Sequence, residues 1–154
     1  MNLKDIITPG CVACATETTS KKRALEKLAG LISQSYTELT DEEIFESLIA
    51  RERLGSTGIG HGVAIPHGRI HTDNKSIAAF MQLKDSVDFD AIDGQPVDLV
   101  FGLLVPEDST DEHLKILAGV ASLFSDTSIC EQLRQATTNE ELYNILASYT
   151  SPDD

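Results

Sequence analysis

The amino-acid sequence predicts an α/β protein, a three-layer α/β/α sandwich built around a mixed β-sheet. Apolar runs of strand length occur near the start and through the middle of the chain. Amphipathic segments with capping residues lie on both sides of the middle runs. The order is therefore one strand, two helices, several strands and three helices, which places helices on both faces of a sheet. The chain has 154 residues, so we expect residues 1–154 to form one domain.

The first part of the chain is predicted to contain a helical turn, a strand and a helix. Residues 3–7 form an apolar patch that Pro9 and Gly10 close, and residues 11–16 follow as the strand. Within residues 20–33 the apolar positions recur with the spacing of an amphipathic helix. These positions are Ala24, Leu25, Leu28, Leu31 and Ile32.

A second helix is predicted to follow directly. Thr40 with Glu43 three residues later forms a capping box, so the helix should start there. It is expected to run to about Leu54 and to stop at Gly55. This places Arg51 in the last turn, beside a glycine-rich loop.

The middle of the chain is predicted to supply the sheet. Residues 63–65 form a short apolar run that Pro66 ends, because proline has no N–H to donate to a ladder. Residues 77–83 are nearly all apolar, as in a strand buried on both faces. Residues 87–90 alternate as a half-exposed strand would. Residues 97–105 are the most apolar run and are expected to form the central strand.

Three helices are predicted for the last third of the chain. Residues 109–112 carry a capping pattern, and Asp126 is expected to cap a shorter helix. Thr138 with Glu141 is a further capping box, which opens the last helix, and residues 151–154 form a tail. The buried stripe of the first of these helices is expected to consist of Leu114, Leu117, Ala118, Ala121 and Phe124.

The charge of the chain restricts its partners. It carries 25 acidic and 12 basic residues, a formal net charge of −13. This argues against nucleic acid, whose phosphates require basic patches, and favours a basic protein partner, although acidic composition is also common in bacterial cytoplasmic proteins. No stretch has the apolar length of a membrane span, and the N-terminus lacks the core of a signal peptide. We therefore expect a cytoplasmic protein without direct membrane insertion.

The three cysteines are expected to be structural. Their number is odd, and the expected compartment is reducing, so a disulfide framework is not predicted. Cys11 and Cys14 form a C-x-x-C pair, but no second pair completes a structural zinc site. In a strand, residues separated by an odd step face opposite sides. We interpret both, and Cys130, as small buried hydrophobic residues.

The stretch most suited to chemistry spans residues 51–71, which hold three of the four histidines and half of the ten glycines. Glycines let a backbone turn sharply and let a ligand approach its amides, so the amides of the loop 55–62 are expected to line a site. The loop is not a P-loop, because it lacks the Gly-Lys-Ser/Thr ending. Pro66 should hold His67 stiffly, and Gly68 leaves space beside it. His67 is therefore a candidate nucleophile toward an anionic group.

Structural explanations compete with these functional ones. Taken alone, a histidine after proline is more often structural, and Arg51 would also be explained by attraction to the negative end of its helix. His113, in the first turn of a helix and at the edge of its apolar stripe, lies near amides that favour phosphate, or is simply a polar N-terminal residue. His61, His67 and His71 could bind zinc in a hydrolase, but their spacing matches no recognised metal motif.

Several motifs resemble a known family. Residues 51–53, 57–60 and 62–68 closely resemble the signature of the enzyme IIA proteins of the mannitol/fructose type, which belong to the bacterial phosphoenolpyruvate-dependent phosphotransferase system. Residues 93–97 resemble the same family, as does the segment from Pro106 through His113 to Ala118. The resemblance covers nearly the whole chain, in order and at the family's spacing.

The resemblance implies a site and a chemistry. It implies that His67 accepts a phosphoryl group through Nε2 from a histidine phosphocarrier protein, and then passes it on or displays it. The family histidine at the position of His113 lies beside the nucleophile and donates to the phosphoryl oxygens, and the arginine at the position of Arg51 supports the site. We expect no cofactor and no metal, because these groups and the loop amides can stabilise the spread charge of a loose transition state.

Two roles within the family remain open at this point. Residues 20–25 and the absence of a fused domain most resemble the nitrogen-related regulatory branch, in which partner proteins read the phosphorylation state. The alternative is a fructose/mannitol-type transport enzyme IIA that serves a sugar permease domain. In either role, phosphoryl transfer would proceed through a covalent phosphohistidine.

Overall fold

A six-stranded mixed sheet lies between two layers of helices. The structure, a computed structural model, describes residues 2–73, 75–109 and 111–149. The predicted α/β/α sandwich is confirmed. The tail predicted at residues 151–154 lies outside the described residues.

The elements follow nearly the predicted order. A 3-10 turn at Leu3–Asp5 comes first, as expected for the apolar patch at the N-terminus. The other elements are β1 (Ile7–Thr16), α1 (Lys21–Ser35), α2 (Asp41–Glu52), β2 (Gly58–Gly60), β3 (Val63–Ala64), β4 (His67–Ile70), β5 (Ile77–Val87), β6 (Val97–Pro106), α3 (Asp111–Phe124), α4 (Thr127–Gln135) and α5 (Asn139–Ala147).

Helix starts were predictable because the capping interactions span only a few residues. The Thr40 hydroxyl accepts from the amide of Glu43, and the Glu43 carboxylate accepts from the amide of Thr40, which completes the capping box of α2. Asp126 caps α4 through the amides of Ser128 and Ile129. Each contact satisfies amides that have no partner within the helix.

Strand β6 is central, as predicted. The strand order is β1-β5-β6-β3-β2, and β4 also pairs with β6. Strand β6 runs antiparallel to β5 and parallel to both β3 and β4. The short strands β3 and β4 therefore occupy successive positions along one side of β6.

Pro66 separates β3 from β4 without releasing the chain from the sheet. It has no N–H to donate, but its carbonyl oxygen accepts from the amide of Leu103 at 2.9 Å. His67 then pairs with Leu103 as the first residue of β4. The expectation that the ladder ends before His67 was therefore wrong, and His67 is held by the sheet itself.

The helices cover the two faces separately. Helices α1 and α2 pack on one face, and α3, α4 and α5 pack on the other. Cys11 is buried on the first face and Cys14 packs on the second, as the odd step between them predicts. Within the described residues, no helix is both long and apolar enough to cross a membrane.

Two strand boundaries differ from prediction. Strand β1 starts at Ile7 and passes through Pro9, which is tolerated because β1 lies at an edge of the sheet. Strand β5 continues to Val87, whereas residues 88–90 are not a strand. The Asp88 carboxylate accepts from the amide of Asp90, whose φ of 55° belongs to a turn.

The buried face of α3 also differs from prediction. Leu114, expected in the buried stripe, is 65% exposed. The buried residues of this helix are His113, Ile116, Val120, Leu123 and Phe124. The observed stripe is thus displaced by one residue, which is about 100° around the helix axis. His113 consequently lies within the buried stripe and not at its edge.

Gly68 allows β4 to pack closely on α2, and its replacement is expected to destabilise the protein. A Cβ at this position would overlap Ser47 Oγ and lie 3.0 Å from the Ser47 carbonyl oxygen. We expect Gly68→Ala to lower the free energy of unfolding by about 1–3 kcal/mol, the usual cost of overpacking. Urea denaturation of the variant measures this effect.

A double variant tests the stated cause. Gly68→Ala with Ser47→Ala should recover part of the loss, because the hydroxyl is removed while the backbone contact remains. An unchanged free energy of unfolding in Gly68→Ala would contradict the packing described here.

Candidate functional site

His67 has a defined tautomer. Its Nδ1 lies 2.9 Å from the carbonyl oxygen of Ile65, which can only accept a hydrogen bond. Because the hydrogen bond requires a donor, we assign the proton of the neutral ring to Nδ1. The lone pair is then on Nε2, the nitrogen that remains available for chemistry.

His113 lies beside His67. The ring centroids are 5.5 Å apart and the ring planes are inclined by 53°. His113 is 8% exposed, and its Nδ1 is buried without a hydrogen-bond partner among the described residues. A buried N–H without a partner is rare in proteins. We therefore assign the proton of neutral His113 to Nε2.

Arg51 is in the last turn of α2, as predicted. Its Nη1 donates to the carbonyl oxygen of Gly55 at 2.8 Å, which holds the guanidinium at the end of the helix. The other N–H groups of this side chain make no hydrogen bond within the part of the chain that the structure describes. They are available to an anion, whose geometry a guanidinium fork matches well.

The three side chains line one open cavity of about 440 Å³. Its polar lining also includes Ser47 and Arg69, and the remaining wall is formed by Ala50, Leu54 and Gly68. Among the residues that the structure describes, the lining thus contains two guanidinium groups and two imidazoles but no carboxylate. In a protein of net charge −13, this lining is a local concentration of basic side chains, which suits an anion.

Both histidines of the cavity favour the neutral form. Burial lowers the pKa of His67 below its ordinary value of 6.5. The hydrogen bond to the carbonyl of Ile65 and the charge of Glu52 raise this pKa, whereas the charge of Arg51 lowers it further, and the net shift is downward. Burial also lowers the pKa of His113, together with the charges of His67 and Arg69. A neutral His67 keeps the lone pair that a nucleophile needs.

These pKa shifts predict the pH dependence of both rings. In NMR titrations, the ring protons of His67 and His113 should titrate with midpoints below 6.5. The unfolded chain then binds more protons than the folded protein near this pH, so stability increases with pH. The contribution of these rings to the free energy of unfolding is fully present above pH 6.5, and it is lost as the pH falls through their folded-state pKa values.

A variant provides the internal control for this titration. His67→Ala removes one of the charges that lower the pKa of His113, so the midpoint of His113 should rise. A midpoint above 6.5 for either ring in the wild-type protein would contradict the described burial.

The other two histidines of the stretch lie elsewhere. His61 lines a separate pocket with Asp93 and Arg134, and His71 lines another with Glu107. Across residues 2–73, 75–109 and 111–149, no group of three or more His, Cys, Asp or Glu side chains could hold a metal ion. These residues therefore offer no ligand set for the zinc-dependent hydrolase considered from the sequence.

The expectation that loop amides line the site was wrong. None of the residues 55–62 lines the cavity of His67. The amide and the hydroxyl of Thr57 instead donate to the buried carboxylate of Glu52, at 2.9 and 2.6 Å. The amide of His61 donates to Asp93. These two amides are thus satisfied by side chains of the protein itself.

Arg69 is a charged cavity residue that the sequence analysis missed. Strand β4 shows half-buried, buried, exposed and buried residues in turn, so His67 and Arg69 share one face. The alternation of His67-Gly68-Arg69-Ile70 was visible in the sequence. It predicts a shared face only if β4 begins at His67, whereas Pro66 predicts that the strand ends before it.

Comparisons with known proteins agree with this fold. Residues 5–149 match the family described as phosphoenolpyruvate-dependent sugar phosphotransferase system, EIIA 2, so the chain belongs to this family. It is 46% identical over 146 residues to a nitrogen regulatory protein of Pseudomonas aeruginosa, with 95% of each chain covered.

Solved structures show the same architecture. The nitrogen regulatory protein IIA-Ntr of Neisseria meningitidis matches with a TM-score of 0.86 and 43% identity, covering 94% of this chain and 98% of the other. The mannitol enzyme IIA of Escherichia coli, solved in a complex with phosphorylated mannitol enzyme IIB, matches with a TM-score of 0.74. The two sequences are 19% identical, and the match covers 94% of this chain and all of the mannitol enzyme IIA chain. At this identity the likeness concerns the fold alone.

Proposed function

We propose that this protein is a histidine phosphocarrier of the nitrogen-related regulatory branch, with the phosphoryl group carried on Nε2 of His67. The hydrogen bond from Nδ1 to the carbonyl of Ile65 is the observation that carries this proposal. It leaves the lone pair on Nε2 in a cavity whose described lining has cationic groups and no carboxylate. The proposal includes a single enzyme IIA domain, which the family match over residues 5–149 supports.

The proposed reaction is a transfer between two histidines. The Nε2 lone pair of His67 forms a bond to phosphorus while the N–P bond of the donor phosphohistidine breaks. The electron pair of the broken bond returns to the donor nitrogen. The proton on Nδ1 of His67 stays in its hydrogen bond to Ile65, so no general base is required.

Arg51 and His113 stabilise the transferring group in this proposal. The transition state is loose, with charge spread over the equatorial oxygens of phosphorus. Arg51 supplies a fixed positive charge, and His113 donates one hydrogen bond from Nε2. Both groups are held before the reaction, one by the carbonyl of Gly55 and one by burial in α3, so little reorganisation is needed.

The partners follow from the family and from the relatives. Enzyme IIA domains of this family pass phosphate between a phosphocarrier protein and further partners. We propose a histidine phosphocarrier protein as the donor and regulatory proteins as the readers of the phosphorylated state, in the cytoplasm. The identity of 46% to a nitrogen regulatory protein favours this role over sugar transport through a permease domain.

Incubation with phosphoenolpyruvate, enzyme I and a histidine phosphocarrier protein tests the proposal. Intact mass should increase by one phosphoryl group, which acid should remove as expected for a phosphohistidine. A known enzyme IIA in the same mixture is the control for an active donor. If the control gains phosphate and this protein does not, the proposed function is wrong.

A further inference from the structure

We propose that Arg69 is a second guanidinium that contacts the phosphoryl group on His67, together with Arg51. The inference rests on the function proposed above and adds a catalytic residue to it. The resemblance and the motifs behind it pointed to Arg51, His67 and His113 only. The argument for Arg69 comes from its position on β4, its lack of an acidic partner and the charge of the group to be bound.

The sheet presents Arg69 on the same face as His67. The two residues are separated by two positions in β4, about 6.6 Å along the strand. Both line the cavity, as does Gly68 between them, whereas Ile70 is buried in the core under α1 and α2. A long side chain at this distance can reach a group on the imidazole.

The backbone of Arg69 is held from two sides. It pairs with Val105 of β6, and its carbonyl oxygen accepts from Ser47 Oγ of α2 at 2.9 Å. The missing Cβ of Gly68 permits this close approach of the helix. The side chain therefore starts from a fixed point at the rim of the cavity.

The Arg69 guanidinium has no acidic partner among residues 2–73, 75–109 and 111–149. Its hydrogen bond there is a long one, 3.5 Å from Nη1 to the carbonyl oxygen of Glu107. The carboxylate of Glu107 lies beside His71 instead, at 3.5 Å. By contrast, Arg134 forms two hydrogen bonds with the carboxylate of Asp98, and Arg23 pairs with Glu26.

The charge of the phosphoryl group calls for more than one cation. A protein-bound phosphoryl group carries about −1.5 to −2 charges near neutral pH. Arg51 supplies one positive charge and has already committed Nη1 to Gly55. His67 is half-buried, so the phosphoryl charge that Arg51 does not neutralise would be only partly solvated. Arg69, whose charge already lowers the pKa of His113, is the other arginine among the described lining residues.

The test uses a small phosphoryl donor, so that docking of a protein partner plays no part. Wild-type protein, Arg69→Ala, Arg69→Lys and Arg23→Ala are phosphorylated with phosphoramidate and followed by intact mass. Arg23→Ala is the matched control, because it removes the same charge from an exposed position on α1. We expect Arg69→Ala to be slower by about 10- to 100-fold, less than for a fully buried donor because water screens an exposed charge. Arg23→Ala should react at the wild-type rate, and Arg69→Lys should recover part of the loss.

A second readout reports the contact without any rate. The phosphorus-31 resonance of the phosphohistidine should shift in Arg69→Ala and stay unchanged in Arg23→Ala. The inference is overturned if Arg69→Ala keeps both the wild-type rate and the wild-type resonance. It is also overturned if Arg69→Ala is slow only with the protein donor, because Arg69 would then serve docking. The same holds if Arg69→Lys recovers none of the rate that Arg69→Ala loses. Failure of the proposed function is a different result, because the wild-type protein itself would not be labelled on His67.

Discussion

Replacing His67 by alanine is expected to abolish phosphoryl acceptance and to leave the fold intact. The change removes Nε2, the atom that we propose to bond to phosphorus. It also removes the hydrogen bond to Ile65, which contributes only about 1 kcal/mol to stability. Intact mass after incubation with the donor system measures labelling, and thermal unfolding measures the fold.

His71→Ala is the matched control for this experiment. His71 belongs to the same stretch, but its side chain is 81% exposed and it lines another pocket. The control should be labelled like the wild-type protein. Undiminished labelling of His67→Ala would remove His67 from the site, even though the protein belongs to the enzyme IIA family.

Replacing His113 by alanine is expected to slow labelling without moving it. Loss of one donor from a preorganised site that stabilises charge costs about 10²–10³ in rate. The acceptor atom is on His67, so the phosphate should still be found there and not on position 113. Rapid-quench kinetics gives the rate, and peptide mapping gives the position of the phosphate.

Two further variants separate the hydrogen bond from packing. His113→Gln keeps an N–H donor and should recover part of the rate. Leu114→Ala changes the neighbouring residue, which is 65% exposed, and should leave the rate unchanged. Phosphate found mainly on His113 in the wild-type protein, or equal rates for wild type and His113→Ala, would contradict these roles.

The features predicted well from sequence depend on neighbours in the chain. The capping box of Thr40 and Glu43 acts across three residues, so its effect on α2 does not require the rest of the fold. Strand β6 is apolar along almost its whole length because both of its faces are covered by helices. Such signals are local, and they sufficed for the three-layer architecture.

The features predicted poorly depend on packing between distant segments. Leu114 and Ile116 both offer an apolar stripe for α3, and local hydrophobicity does not choose between them. Packing on the sheet selected the stripe of Ile116, which turned His113 toward His67. In the same way, the buried Glu52 carboxylate took the amide of Thr57 that the sequence analysis had assigned to a ligand.

The sequence by itself determined the fold class, the family resemblance and the choice of His67 as the candidate nucleophile. Only the tertiary structure decided the tautomer of His67, because the carbonyl of Ile65 turns back onto its ring. It also decided that Arg69 shares the cavity with His67, whereas His61 and His71 line other pockets. The physical reason is that a cavity is formed where α2, β4 and α3 meet, and side chains enter it according to strand pairing and helix rotation.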